Sequence, residues 1–354
     1  MPLLHSLYPL FRPLLFMVDA ETAHDWTVKM LRAANLFGWL PKIPVHPACA
    51  QEAMGIKFPN CLGLAAGMDK SASAVDAWLA LGFGHVEVGT LTPRPQQGNP
   101  TPRLLRLKEH WAIINRMGFN NPGIDSAVRR LERRGGDGIV GVNIGKNFDT
   151  PNERAVDDYL YCLRAAFPVA DYIAVNISSP NTKGLRDLQA EEPVRKLLGA
   201  LKEEQARLTG QHSRSVPLAV KIAPDLEPAQ IETLAKVFGE LAMDAVIATN
   251  TTITRTHVEN HPLAGEAGGL SGSPLRPRAH EVLKTFRSLL PSNIPLIGVG
   301  GILNGTQAAD RLIAGATLVQ IYSGLVYRGP DLVREIASIG TPGVPQDCPD
   351  PGYY

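Results

Sequence analysis

Eight short apolar runs, each trailed by a helix-like stretch or a turn, constrain this chain more than any other feature. The runs are LGLAAG from Leu62, HVEVGT from His85, GIVGVNIG from Gly138, YIAVNIS from Tyr172, PLAVKIA from Pro217, DAVIATN from Asp244, PLIGVGG from Pro295 and LVQIYSG from Leu318. Between them, the apolar spacing predicts helices over Ser71 to Leu81, Pro151 to Ala166, Glu191 to Leu208, Pro228 to Phe238, Arg278 to Leu289 and Gly305 to Ala314. Only the gap from 91 to 138 has room for a loop ahead of its helix. Strands apolar on both faces and followed by helices need a covered parallel sheet, and eight of them can close into a (β/α)8 barrel. The expected fold is therefore α/β, a TIM-type barrel; an open, doubly wound sheet is the alternative that the pattern alone leaves standing.

The first 40 or so residues follow a different rhythm. Leu3, Leu4, Leu7, Leu10, Phe11, Leu14 and Leu15 recur at helical spacing but are interrupted by Pro9 and Pro13, which shorten or kink a helix. Ala23, Trp26, Met30, Ala34, Phe37 and Leu40 then repeat every three or four residues, with Asp25, Lys29 and Arg32 on other faces, the signature of an amphipathic helix. Three readings fit: a helical hairpin packed on the core, a membrane-surface attachment, or a targeting segment. A secretory signal is disfavoured by the lack of a basic start, and a mitochondrial presequence by Asp19, Glu21 and Asp25. The expected boundaries are 1–42 for a small helical domain, 43–340 for the barrel and 341–354 for a disordered tail. Pro41, Pro44 and Pro47 mark a stiff linker, and the tail TPGVPQDCPDPGYY has no periodicity.

Bulk composition excludes several functions. Thirty-five Lys and Arg against 34 Asp and Glu leave a formal charge of +1, too little field to expect a nucleic-acid partner. Cys49, Cys61, Cys162 and Cys348 form no CxxC pair and no Cys/His spacing for structural zinc, so no metal is expected. The longest stretches without charge, Arg287 to Asp310 and Arg311 to Arg328, are broken by prolines and glycines and predict no transmembrane helix.

A parallel barrel gathers its site at the carboxyl ends of its strands. Here those ends carry Asp69 and Lys70, Thr90, Asn143 and Lys146, Asn176 with Ser178 and Ser179, Lys221, Thr249 with Asn250 and Thr251, Gly300 with Gly301, and Tyr322 with Ser323. Lysines and amides dominate, without the paired carboxylates of glycoside hydrolysis or a histidine cluster for metal. A cofactor that accumulates negative charge fits this set, with Lys221 able to hold that charge; the same lysine also reads as a strand-end cation facing water. GVGGI and IYSG offer Gly300, Gly301, Tyr322 and Ser323 as a phosphate-binding wall, or simply glycines that relieve crowding. In NISSPNTKGLR, Pro180 restrains Ser179 towards extended backbone, which suits either a directed hydroxyl or an ordinary turn.

The ordered set GLAAGMDK, EVGTLTPRPQQGNPTPRLLRL, INRMGFNNPG, GVNIGKN, NISSPNT, AVKIAPD, IATNTT, GGLSGSPL, IGVGGI and QIYSG resembles the quinone-dependent, membrane-associated dihydroorotate dehydrogenases, from about His24 to about residue 335. The resemblance implies oxidation of dihydroorotate to orotate in pyrimidine synthesis, with FMN across the barrel mouth. The FMN contacts implied are Ala66, Gly67, Met68, Asp69, Lys70, Thr90, Asn143, Asn176, Lys221, Thr249, Gly272, Gly301, Tyr322 and Ser323. Orotate would be held by Lys70, Asn115, Arg116, Met117, Gly118, Phe119, Asn176, Asn181, Asn250 and Thr251. Ser179 matches the base that takes the C5 proton in the quinone class, where the soluble class has cysteine, with Thr182 and a water near Phe119 as the proton route. His24, Arg106 and Tyr322 match positions lining the quinone tunnel. The implied setting is a monomer attached peripherally to the cytoplasmic face of a bacterial plasma membrane. Two rivals remain: a soluble flavin reductase using fumarate or a pyridine nucleotide, and a phosphate-binding lyase or isomerase without flavin.

Overall fold

The computed structural model describes residues 8–40 and 47–340. The chain starts with helices α1 (Tyr8–Met17) and α2 (Ala20–Leu36) and the hairpin β1 (Gln51–Ala53) and β2 (Ile56–Phe58). Next come β3 (Leu62–Leu64), α3 (Val75–Ala80), β4 (His85–Leu91), β5 (Leu104–Leu107), β6 (Ala112–Asn115), α4 (Ile124–Glu132), β7 (Ile139–Ile144), α5 (Ala155–Ala166) and β8 (Tyr172–Asn176). They are followed by α6 (Glu191–His212), β9 (Leu218–Ile222), α7 (Pro228–Glu240), β10 (Ala245–Ala248), β11 (Gly269–Gly272) and α8 (Arg276–Leu289). The last elements are β12 (Leu296–Val299), α9 (Gly305–Ile313), β13 (Leu318–Ile321), α10 (Ser323–Arg328) and α11 (Pro330–Ala337).

All eight apolar runs are barrel strands. They pair in parallel in the order β3, β4, β7, β8, β9, β10, β12, β13, and β13 returns to β3, which removes the open-sheet alternative. The helices cover the outside, so the strands are buried on both faces. Outward Val86, Val88, Val142, Val220 and Val319 join the large strand-to-helix core. The opposite end from the mouth is plugged by the β1–β2 hairpin. Phe58 is fully buried there, set edge-on to the His85 ring at 5.1 Å and packed with Tyr172 and Leu318.

Local chemistry sets the helix limits. The stretch expected from Ser71 begins only at Val75, because the Asp69 carboxylate accepts from the N–H groups of Ser73 (2.9 Å) and Ala74 (2.8 Å) and holds the preceding residues in a turn. Asn304 caps α9 by accepting from Gln307 N–H at 2.9 Å, and Glu227 and Gln230 form a reciprocal capping box ahead of α7. The long gap contains more than a loop: β5 and β6 form a hairpin that β11 extends to an antiparallel sheet of three strands.

The N-terminal helices rest on this side of the molecule. Asp19 caps α2 through Thr22 N–H at 2.9 Å, Arg106 of β5 donates to the carbonyls of Leu15 and Val18, and Arg103 pairs with Glu21 at 2.7 Å. Ala23 is buried and Val28 and Leu31 pack against the core, so one edge of α2 is docked. Leu40 also packs against the core, but much of the apolar surface of the pair is uncovered: Leu10, Phe11, Leu14, Met17, Trp26, Met30, Leu36, Phe37 and Trp39 are each at least 50% exposed. No helix among the described residues is long and apolar enough to cross a membrane. Leu3, Leu4, Leu7, the linker prolines Pro41 and Pro44, and the tail from Thr341 lie outside the described residues.

Candidate active site

Successive strand side chains alternate between faces, so the phase that sends valines outward sends polar residues into the barrel. His85 and Glu87 flank outward Val86, Asn143 lies between Val142 and Ile144, Lys221 between Val220 and Ile222, and Gln320 between Val319 and Ile321. The register places Glu87 beside Gly141 and Asn176 beside Lys221. A Cβ on Gly141 would collide with the Tyr172 ring; with none there, the phenol reaches Glu87 Oε2 at 3.0 Å. Burial holds the neighbouring His85 down at about 4, so it is neutral at physiological pH.

Above this floor opens a cavity of about 1010 Å³, counting the open space at its mouth. Its floor and walls carry Lys221, Thr90, Asn176, Ala66, Gly67 and Thr249. Asn176 Nδ2 donates to Thr90 Oγ1 at 2.9 Å, and Thr90 in turn donates to Asn143 Oδ1 at 2.6 Å. Gly272, Gly300, Gly301, Tyr322 and Ser323 form one wall, where Ser271 Oγ and Ser323 Oγ lie 2.8 Å apart and tie β11 to α10. Gly301 has a φ of +72°, and a Cβ there would stand 2.5 Å from Arg276 Cβ, so the turn backs directly onto the start of α8.

Lys70, Asn115, Met117, Gly118, Phe119, Ser179, Asn181, Asn250 and Thr251 also line the cavity. Asn181 N–H donates to Ser179 Oγ at 3.2 Å and its Nδ2 to Asn115 Oδ1 at 3.1 Å, while Asn250 Nδ2 donates to Ser178 Oγ at 3.0 Å. Three buried oxygens here have no protein partner: Asn120 Oδ1, Thr251 Oγ1 and Thr182 Oγ1. Buried polar atoms are almost always paired, and those of Asn120 and Thr251, on the cavity wall, fit hydrogen bonds to a polar ligand. Burial lowers Lys70 to about 8, against the upward pull of Glu21 and Asp25, so it is a cation at neutral pH.

Four of the residues expected to touch FMN or orotate stand apart from the cavity wall, as do the strand-end candidates Lys146 and Ser178. Met68 belongs to the hydrophobic core, and Asp69 caps the turn described above. Asn143 stands behind Thr90 and donates to Glu87 Oε1 at 2.8 Å. Arg116 turns away to Glu266 at 2.8 Å and to the carbonyls of Pro102 and Ala267. The cavity also recruits Ala65, Gly89, Asn120, Ser271, Leu275, Val299, Ile302 and Gln320, which the strand-end reading passed over. All eight do lie inside the quoted motifs; Asn120, Ser271 and Gln320 bring polar side chains, and the others are backbone or apolar walls.

An apolar cluster adjoins this site. Leu104, Ile113, Met117 and Tyr327 cluster with Tyr322 on the cavity side and with Phe16 and Ala20 of the N-terminal helices. The Arg106 guanidinium lies over the Phe16 ring at 4.7 Å. His24 occupies a separate groove with Asp25, Arg103 and Lys70, and burial holds it at about 3, uncharged.

Residues 48–339 match the family described as Dihydroorotate dehydrogenase. The chain is 56% identical over 333 residues to the dihydroorotate dehydrogenase (quinone) of Chromobacterium violaceum, covering 94% of this chain and 96% of that one. It is 55% identical over 331 residues to the Stenotrophomonas maltophilia protein of the same name, covering 93% and 94%. The solved ligand-free DHODH of Eimeria tenella superposes with a TM-score of 0.83 at 38% identity, over 90% of this chain and 93% of that one. On its barrel, its site and these relatives, the chain belongs to the dihydroorotate dehydrogenase family.

Proposed function

We propose that this protein oxidises (S)-dihydroorotate to orotate in pyrimidine (UMP) synthesis, using FMN as hydride acceptor and a membrane quinone as final electron acceptor. The observation that carries this reading is one cavity combining a glycine and hydroxyl wall, a floor lysine and an amide-rich wall that holds Ser179. Glycines and an adjoining hydroxyl suit the FMN phosphate, and Lys221 suits the N1/C2 carbonyl edge. When bound, FMN supplies the hydride acceptor. Lys70, Asn115, Asn181 and Asn250 hold the substrate's carboxylate and ring carbonyls through charged and amide donors.

Ser179 Oγ takes the C5 proton. The N–H bond from Asn181 fixes the hydroxyl's direction, and the unpartnered Thr182 hydroxyl, three residues along, offers the proton its next stop. A serine is a weak base at neutral pH, so this relay and exclusion of water must supply what its own acidity does not. Ser179 is 5% exposed, which supports that exclusion.

Tyr322, Arg106 and the apolar cluster beside them give a quinone a non-aqueous approach from α1 and α2, with neutral His24 on the same helix pair. We take residues 1–42 as the attachment domain and 43–340 as the barrel. The uncovered Leu10, Phe11, Trp26 and Met30 enter the lipid interface, with the protein a peripheral monomer on the cytoplasmic face of a bacterial plasma membrane. The test is acceptor choice: purified protein should form orotate with a short-chain ubiquinone or menaquinone and not with fumarate or NAD. Turnover with fumarate or NAD and none with quinone would replace this reading with that of a soluble reductase.

A further inference from the structure

The cavity floor has a layer beneath it that the reaction described above does not use. Glu87 is fully buried, and each of its carboxylate oxygens has two partners. Oε1 accepts from Asn143 Nδ2 at 2.8 Å and lies 3.6 Å from Lys221 Nζ; Oε2 accepts from Gln320 Nε2 at 2.8 Å and from Tyr172 O–H at 3.0 Å. These partners come from β7, β9, β13 and β8, so one carboxylate joins four strands beneath the cavity. Among the described residues it is the only carboxylate paired with Lys221. Its neighbour His85 is uncharged, so among the described residues Lys221 is the cation paired with it.

Lys221 and Gln320 line the cavity and Glu87 does not. The ion pair is thus oriented, its positive end at the floor and its negative end one layer below. A buried charge acts over a longer range than one in water, because little solvent screens it. The negative end therefore opposes any build-up of negative charge on a group resting on Lys221.

Resting on the flavin reading above, we propose that Glu87 is a positioning residue that holds Lys221 at the floor and Asn143 behind Thr90, and sets the flavin's reduction potential below the value Lys221 alone would impose. Glu87→Gln keeps the shape and an acceptor oxygen but removes the charge. It shifts the oxidised-to-reduced equilibrium towards reduced flavin by on the order of tenfold, which for a two-electron couple is about 30 mV upward. Tyr172→Phe removes a donor while keeping the charge, leaves the carboxylate less neutralised, and lowers the potential.

The experiment is an equilibrium reductive titration of the full-length, FMN-loaded protein against a reference dye, for wild type and both variants, with FMN retention and thermal melting measured alongside. Opposite shifts support the proposal. Should Glu87→Gln not fold, the downward shift of Tyr172→Phe decides alone. Potentials equal to wild type in the variants that retain FMN would overturn it, whatever their melting temperatures. A wild-type protein that binds no FMN would instead defeat the flavin reading on which this rests.

Discussion

Replacing Ser179 with alanine separates catalysis from binding more cleanly than any other change in the site. The substitution removes one oxygen from a residue that is 5% exposed, an oxygen that accepts a single protein hydrogen bond, from Asn181 N–H at 3.2 Å. Leaving that N–H without its partner costs about 1–3 kcal/mol if no water replaces it, a modest loss for a chain of 354 residues. The groups suited to the flavin, on Lys221, Thr90 and the glycine wall, make no hydrogen bond to the Ser179 side chain, so FMN stays bound. A positioned base contributes about 10²–10⁴ in rate, equivalent to ~3–5 kcal/mol of barrier. Stopped-flow recording of flavin bleaching by dihydroorotate should therefore slow by at least 10²-fold, with an unchanged resting spectrum. A loss smaller than about tenfold, in protein that retains FMN, would refute the assignment of Ser179 as the base.

Other consequences follow from the same geometry. Lys70 is a cation below about pH 8 and loses its proton above it, so orotate affinity should be level below pH 8 and fall above it, by about tenfold per pH unit until the bound-state value is passed. Affinity unchanged through pH 9.5, measured by flavin spectral titration, would remove Lys70 from carboxylate binding. Phe58→Ala empties the barrel plug beside His85 and should cost about 3–5 kcal/mol in urea unfolding, with the cavity chemistry intact in the folded fraction; a loss below ~1 kcal/mol would contradict the plug. Deleting residues 1–42 should preserve flavin reduction by dihydroorotate and abolish quinone reduction and binding to lipid vesicles. Full quinone activity in that truncation would disprove the role given to the N-terminal helices.

The barrel was legible because its strands are buried on both faces, which writes them into the sequence as continuous apolar runs. Strand β11 was not, since Gly269–Gly272 contains two glycines and no apolar run; its place is set by pairing with β6, more than 150 residues earlier in sequence. The hairpin of β5 and β6 hid in the long gap for a related reason, its segments LLRL and AIIN being four residues each. Strand ends revealed the cavity wall, as with Lys221 and Asn176, but Glu87 and Tyr172 lie within strands and become visible only when the closed barrel fixes which phase points inward. Arg116 shows the limit of matching motifs: its contact with Glu266, 150 residues away, turns the side chain from the cavity that its neighbours Asn115 and Met117 line. The apolar repeat in α2 gave the helix correctly, but only the docked edge at Ala23, Val28 and Leu31 shows which part of it meets the protein.

The most direct test of the account is anaerobic mixing of the purified, FMN-loaded protein with dihydroorotate, followed by addition of a soluble quinone while the flavin spectrum is recorded. Bleaching by dihydroorotate with release of orotate, then full recovery of the oxidised spectrum on quinone, is the expected result. A flavin spectrum that dihydroorotate leaves unchanged, or folded protein that takes up no FMN, would contradict it.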